Sequence, residues 1–223
     1  YEGWFYEGAG IYRHVWLNVT DKVFIPNDGV FVHSKVNGKN ATVTIETEVE
    51  NKNLQPSNAV VYSIITDRNG KQLGKTSEQK VALSVNGKTT IKQNLNLNNV
   101  TFWSLENPYL YKVISVVKSG NQMVHQKKTR FGIKTVKFDS KEGFFLNGKK
   151  IKIQGTNNHQ DHAGIGSALP DFMQYYRIKL LKEMGSNAYR ASHNAPTPEL
   201  LEACDSLGML VLDEQRLLNS SPE

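Results

Sequence analysis

Cysteine is almost missing from this chain: Cys204 is the only one in 223 residues, so no disulfide can form within it. Long apolar runs are missing too. No stretch reaches the roughly 18 to 20 consecutive apolar residues that a membrane-spanning helix needs. The net charge is +6, yet no dense basic block exists, because Lys35, Lys39, Lys71, Lys75, Lys80 and Lys88 are scattered over strands and turns. A nucleic-acid face needs such residues clustered on one element, so no nucleic-acid partner is expected. A composition of 39% hydrophobic and 22% charged residues fits a folded globular chain and not a disordered one. No basic-then-apolar leader opens the sequence. It starts with the strand-like Tyr1-Glu2-Gly3-Trp4-Phe5, which reads as a cut inside a larger protein. The cell compartment stays open, a periplasmic or extracellular one included.

The first two thirds read as β-structure. Gly8 to Val19 alternates, with Ile11, Arg13, Val15, Leu17 and Val19 opposite Tyr12, His14, Trp16 and Asn18, and is expected to be one strand. It lacks partners and is expected to be the tail of a β-domain. Pro26-Asn27-Asp28-Gly29 marks a turn or linker. Strands are then expected over 30–36, 41–49, 59–66, 81–85, 89–97, 109–117 and 123–131, separated by turn signals such as Asn37-Gly38, Asp67-Arg68-Asn69-Gly70, Asn86-Gly87 and Ser119-Gly120-Asn121. About seven short strands in about 100 residues, without helical periodicity, predict an immunoglobulin-like sandwich. In it Trp103 reads as core, with a sugar-stacking platform as the other reading, and Tyr111 as a tyrosine corner.

After Lys134 the texture changes. Residues 136–146 with Asn147-Gly148 read as a hairpin, and 151–154 as a short strand. A helix is expected over 171–184, from Pro170 to Gly185, with Met173, Tyr176, Leu180, Leu181 and Met184 as its apolar set. A strand at 187–191 follows. Thr197 is placed to cap a second helix with Pro198 at its first position, Leu200, Leu201 and Cys204 facing inward, and Gly208 at its end. Residues 209–212 make a third strand. Repeated strand–helix units predict parallel strands with right-handed crossovers. Three polar clusters follow the three apolar runs: Gly155 to His162, Asn187 to Asn194, and Asp213-Glu214. In a (β/α)8 barrel the active site is built at the C-terminal ends of the strands. The chain stops at Glu223. Only about 90 residues follow Ile133, where a whole barrel takes about 250, so about three strands of an incomplete barrel are expected.

Several segments together resemble glycoside hydrolase family 2, the group of β-galactosidases, β-glucuronidases and β-mannosidases. Gly8 to Leu17 resembles the end of that family's N-terminal jelly roll. Trp103-Ser104-Leu105-Glu106-Asn107-Pro108-Tyr109-Leu110-Tyr111 resembles the entry to a late strand of its immunoglobulin-like domain. Arg130-Phe131-Gly132-Ile133 resembles the junction to the barrel, Phe145 to Lys149 and Gly155 to Asp161 the barrel entrance. Arg190 to Asn194 and Asp213-Glu214 resemble the next two strand ends. The resemblance implies three parts: 1–22 as the last jelly-roll strand, 23–134 as the sandwich, and 135–223 as the start of a TIM barrel.

It also implies retaining hydrolysis, with one carboxyl protonating the leaving oxygen and a second attacking the anomeric carbon from roughly 5 to 5.5 Å away. Both glutamates of the family come from later strands, and the resemblance puts them beyond Glu223. No catalytic residue is therefore expected in this chain, and the chain alone is expected to be inactive. His159, Asp161 and His193 match positions that contact the non-reducing-end sugar. Arg190, Asp213 and Glu214 match a supporting charge network, expected to be buried. The implied substrate is a β-galactoside or related oligosaccharide, no cofactor is expected, none of these site residues is expected to hold a metal, and the unfinished barrel is expected to self-associate. Asn194-Ala195-Pro196 replaces the family's frequent Tyr-Pro after His193.

Other readings stay open on the residues alone. His159, Asp161 and His162 have ligand types suited to a metal, which would make a metal-dependent barrel hydrolase. They also suit an ordinary polar loop, and His193 and Arg190 suit structural roles. A sandwich of this kind also occurs in non-catalytic carbohydrate-binding or adhesion modules. His14, His33 and His125 have no acidic or nucleophilic neighbour in sequence and are given no role. Cys204 on an apolar helix face reads as a buried, inert thiol.

Overall fold

In a computed structural model the chain is described over residues 10–214. The chain forms two compact units, one of residues 17–103 and 109–135, the other including residues 10–16, 104–108 and 136–214. No helix among the described residues is long and apolar enough to cross a membrane.

The first unit is a β-sandwich of nine strands: β1 (Val23–Phe24), β2 (Val30–Asn37), β3 (Asn40–Asn51), β4 (Ser57–Thr66), β5 (Gln72–Lys75), β6 (Gln79–Leu83), β7 (Lys88–Leu97), β8 (Tyr111–Ser119) and β9 (Gln122–Phe131). In one sheet β3 runs antiparallel to β7, β2 and β1. In the other, β4 pairs with β8 and with the short strands β5 and β6, and β9 pairs with β8. Period-two alternation sends Val43, Ile45 and Val49 of β3 inward against Ile65, Val61, Val113 and Val117, all fully buried. A buried polar layer divides this core. Thr47 Oγ1 donates to Ser115 Oγ at 3.3 Å, Ser63 Oγ to Gln93 Oε1 at 3.2 Å, and Gln93 Nε2 to the Ser77 carbonyl at 3.0 Å. Each member has a partner, as buried polar groups require.

Trp103 is 3% exposed, and its N–H bonds the Ile133 carbonyl at 2.8 Å. A Cβ on Gly132 would stand 2.9 Å from the Trp103 Cβ, which explains the glycine. The Tyr111 hydroxyl accepts the Thr101 N–H at 2.7 Å and donates to the Thr101 carbonyl at 3.3 Å, the expected tyrosine corner. The short strands β1 and β5 were not legible. Gln72-Leu73-Gly74-Lys75 has no β-branched or aromatic residue and forms only because β4 supplies an edge.

In the second unit β10 (Val136–Asp139), β11 (Gly143–Leu146) and β12 (Lys149–Ile151) make an antiparallel sheet. Then β13 (Gly155–Asn158), α1 (Asp171–Glu183), β14 (Ala188–Ala191), α2 (Pro198–Leu207) and β15 (Leu210–Leu212) alternate. The three last strands are parallel, in the order β13-β14-β15. This is an incomplete barrel following a sandwich, with no closed ring. Thr197 caps α2 by accepting the Leu200 N–H at 3.3 Å, and Gly208 ends it at φ 75°. Ile178, Tyr189, Ala191, Leu200, Ala203, Cys204 and Met209 form the core of this unit.

Four expectations are corrected. The strand over Gly8–Val19 does not form: Gly8 and Ala9 lie outside the described residues, and 10–19 have no ladder, with Ile11, Val15, Leu17 and Val19 each more than three quarters exposed. A strand needs a hydrogen-bonded neighbour, and alternation alone cannot supply one. The first parallel strand is Gly155–Asn158, four residues later than read, because Ile151 ends the preceding hairpin by pairing with Phe144. On α1 the buried residues are Gln174 and Ile178, while Tyr176, Leu180 and Met184 are exposed. The helix is apolar on more than one face, so periodicity did not fix which face turns inward. On α2, Leu200 and Cys204 are buried but Leu201 is 36% exposed.

Two further expectations fall wholly or partly outside the described residues. The strand-like opening from Tyr1 to Phe5 is one. The other is the far end of the barrel segment, where Gln215 to Glu223 lie outside them. The placement of the two catalytic glutamates beyond Glu223 therefore stays an implication of the resemblance.

Candidate functional site

Parallel pairing places the three polar clusters along one edge. His159 follows the last residue of β13, His193 lies two residues past β14, and Asp213-Glu214 follows β15. Close pairing at the base of these strands depends on Gly155, where a Cβ would fall 2.1 Å from the Ala188 carbonyl oxygen.

The rings of His159 and His193 meet edge to face, with centroids 5.7 Å apart at 80°. His193 adopts φ 60°, the left-handed region that non-glycine residues seldom enter. Its backbone N–H is then free to donate to Glu214 Oε2 at 2.7 Å, and its Nδ1 lies 3.3 Å from the same oxygen. Glu214 Oε1 is also in contact with Arg190 Nη2. Arg190 Nη1 donates to Asn157 Oδ1 at 3.1 Å and to Ser192 Oγ at 3.2 Å. One glutamate thus ties together the ends of β14 and β15, while Arg190 reaches β13. The His193 N–H, and then the Arg190 charge, hold the Glu214 carboxyl below its ordinary range.

The network is not buried as expected. The Arg190 and Glu214 side chains are 35% and 26% exposed, because their polar heads lie at the rim of the sheet. Asp213 is exposed and takes no part in it; no hydrogen bond or ion pair joins its side chain to the described residues. Asp161 is half-buried, and what fixes it is its backbone, not its carboxylate.

That anchor was not foreseen. Arg177 of α1 donates from Nη1 to the His159 carbonyl at 3.1 Å and from Nη2 to the Asp161 carbonyl at 2.6 Å. Nη1 also approaches the hydroxyl of Tyr189, a side chain 1% exposed, at 3.4 Å. The signal was present: Arg177 is a lone cation directly before buried Ile178, one turn from Met173 and from Leu181. Lone charges on a core-facing arc are costly unless paired.

The metal reading fails at its expected place. Among the described residues the ligand atoms of His159, Asp161 and His162 do not converge to within 4.8 Å of one another. His162 Nδ1 instead bonds the Ala163 carbonyl at 3.0 Å. Asn194, which stands where the resemblance has a frequent Tyr, is 6% exposed and folds back to donate to the Ser192 carbonyl at 2.8 Å. Cys204 is 1% exposed and its thiol is pushed up to about 12 by burial, so it is inert as expected.

Comparison with known proteins matches two family models, "Glycosyl hydrolases family 2" over residues 23–134 and "Glycosyl hydrolases family 2, TIM barrel domain" over residues 136–221. A β-galactosidase of Bacteroides ovatus is 35% identical over 94% of this chain and 25% of its own length. A β-glucuronidase of Formosa agariphila is 30% identical over 95% of this chain and 23% of its own. The crystal structure of a glycosyl hydrolase family 2 member from Bacteroides cellulosilyticus superposes with a TM-score of 0.89 at 34% identity, covering 94% of this chain and 29% of that one. The chain therefore spans about a quarter of the length of the curated relatives it matches.

Proposed function

This chain belongs to glycosyl hydrolase family 2, and on that premise we propose that it is a piece of a retaining β-glycosidase, in first preference a β-galactosidase. The observation that carries the reading is the meeting of His159 and His193 at 5.7 Å on neighbouring parallel strand ends. Imidazoles and a carboxylate suit sugar hydroxyls, and such bonds tighten as the ring flattens toward the transition state. His159, Asp161 and His193 are the proposed contacts to the terminal sugar. Glu214 and Arg190 orient His193, and Arg177 orients His159 and Asp161. Asp213 is assigned as supporting only through its place beside Glu214.

The general acid and the nucleophile belong, in this reading, to later strands beyond Glu223, and this chain alone does not hydrolyse glycosides. Residues 1–22 are assigned to the end of a jelly roll, 23–134 to the immunoglobulin-like domain and 135–223 to the start of the catalytic barrel. The galactoside preference rests on the 35% identity to a β-galactosidase. The 30% identity to a β-glucuronidase makes a glucuronide the competing substrate.

Calorimetry of the chain with galactose, glucuronate and lactose tests this against a free-standing sugar-binding module. No saturable heat is expected, because only part of the pocket is present. Saturable binding of any of the three would replace the hydrolase reading by the module reading.

A further inference from the structure

The segment before the sandwich is fastened to the loops that carry His159 and His193 and to the helices of its own unit. Tyr12 Oη donates to Gln160 Oε1 at 2.9 Å, and Arg13 Nη2 contacts the Ala195 carbonyl. His14 Nε2 stands 2.7 Å from Asp171 Oδ1 and 4.0 Å from Glu199 Oε1. Asp171 opens α1 and Glu199 lies in the first turn of α2. Three separate segments, distant in sequence, thus bring one imidazole and two carboxylates to within 4.8 Å of one another.

We propose that His14, Asp171 and Glu199 form a binding site for a divalent first-row cation such as Zn²⁺ or Mn²⁺, which fastens residues 12–16 to both helices. One imidazole with two carboxylates is a donor set these ions accept. A second observation points to a ligand at the same place. Gln174, one turn after Asp171 on α1, lines the same cavity of about 250 Å³, is 5% exposed, and its Oε1 has no hydrogen-bond partner. A buried amide oxygen without a donor is costly, and a cation or its bound water supplies what it lacks.

The charges around the cavity limit the affinity without reversing it. Asp171 and Glu199 contribute two negative charges, and Arg13, which also lines the cavity, one positive. The helix N-termini add partial positive charge, so an oxygen-and-nitrogen donor set with both carboxylates intact is needed. All three ligand side chains keep a solvent-exposed side, with Glu199 the least exposed at 26%, which leaves room for water to complete the coordination shell.

This site does not depend on the glycosidase reading, and its test reads the metal alone. Zn²⁺ and Mn²⁺ are titrated into the full 223-residue chain by calorimetry, and Mn²⁺ line broadening is followed by NMR. Saturable one-to-one binding is expected, with broadening strongest at residues 12–16, 171–174 and 197–200. His14→Ala and Glu199→Gln should each weaken binding at least tenfold while leaving the circular dichroism spectrum unchanged. Absence of saturable binding overturns the proposal. So does binding that both variants retain, or broadening centred on His159 and His193.

Discussion

The Glu214 carboxylate accepts the backbone N–H of His193 at 2.7 Å, and that bond accompanies the left-handed φ of 60° at His193. Without an acceptor at that point the strained backbone loses its compensation. Glu214→Gln removes the charge from this bond and from the Arg190 contact. In that variant the imidazole resonance of His193 should shift, and the full enzyme should lose about 10²-fold in kcat/KM through misplacement of a sugar contact. An unmoved His193 resonance would show that Glu214 does not position it.

The same carboxylate carries a pH signature. Its folded-state pKa is held below the ordinary value of 4.5 by the His193 N–H and by Arg190. Its contribution is therefore present above about 4.5 and is lost as the pH falls through the lowered folded value. Urea unfolding of the wild type should weaken more steeply than that of Glu214→Gln below that point. Parallel curves would contradict it.

Arg177 holds two carbonyls at once, those of His159 and Asp161. Lysine has no fork with which to reach both. Arg177→Lys should destabilise the chain by about 1–3 kcal/mol and raise amide exchange across residues 159–162. Arg177→Met should do so more strongly. Exchange that stays unchanged in both variants would leave those loop residues held by something else.

In the sandwich, Tyr111→Phe deletes both bonds to Thr101. The Thr101 N–H and carbonyl then lack their partner, at a cost of about 1–3 kcal/mol, read as a lowered Tm. His125 offers a pH test in the same unit, because its Nδ1 accepts the Ile25 N–H at 3.2 Å. Burial, and then Lys127, lower its pKa from 6.5, so the neutral form is the folded one. Stability should be full above about 6.5 and fall as the pH drops through the folded value. His125→Asn should flatten that fall.

Much of this architecture is legible in the sequence. Alternation placed Val43, Ile45, Thr47 and Val49 on one face of β3, and all four are buried. Pro198 and Gly208 marked the ends of α2 because their backbone restrictions act locally. The places of the polar clusters after β13, β14 and β15 were readable because each follows a short apolar run. What sequence could not give was long-range. The register of β13 depends on Gly155 against Ala188, the clamp of Arg177 on loop carbonyls crosses from helix to loop, and His14 meets Asp171 across 157 positions. Residues 10–19 mislead for the same reason: their alternation is real, but no neighbouring strand is paired with them among the described residues.

Open strand edges give a further expectation. β13 and β15 each have one paired neighbour among the described strands, and Phe172, Tyr176, Leu180 and Met184 line one face of α1 at 66%, 45%, 44% and 66% exposure. Unpaired edges and apolar stripes of this size promote association. Sedimentation should show dimers or larger species growing with concentration. A single monomeric species at high concentration would count against this.

The central claim is that these residues form part of the sugar pocket of a retaining β-glycosidase. It is tested most directly by the full-length protein that contains this chain, acting on p-nitrophenyl β-galactoside and β-glucuronide while proton NMR follows the first anomer released. The account predicts hydrolysis of one of them with release of the β-anomer, and a fall of about 10²-fold or more in kcat/KM for His193→Ala. Release of the α-anomer, or a His193→Ala enzyme as active as the wild type, would contradict it.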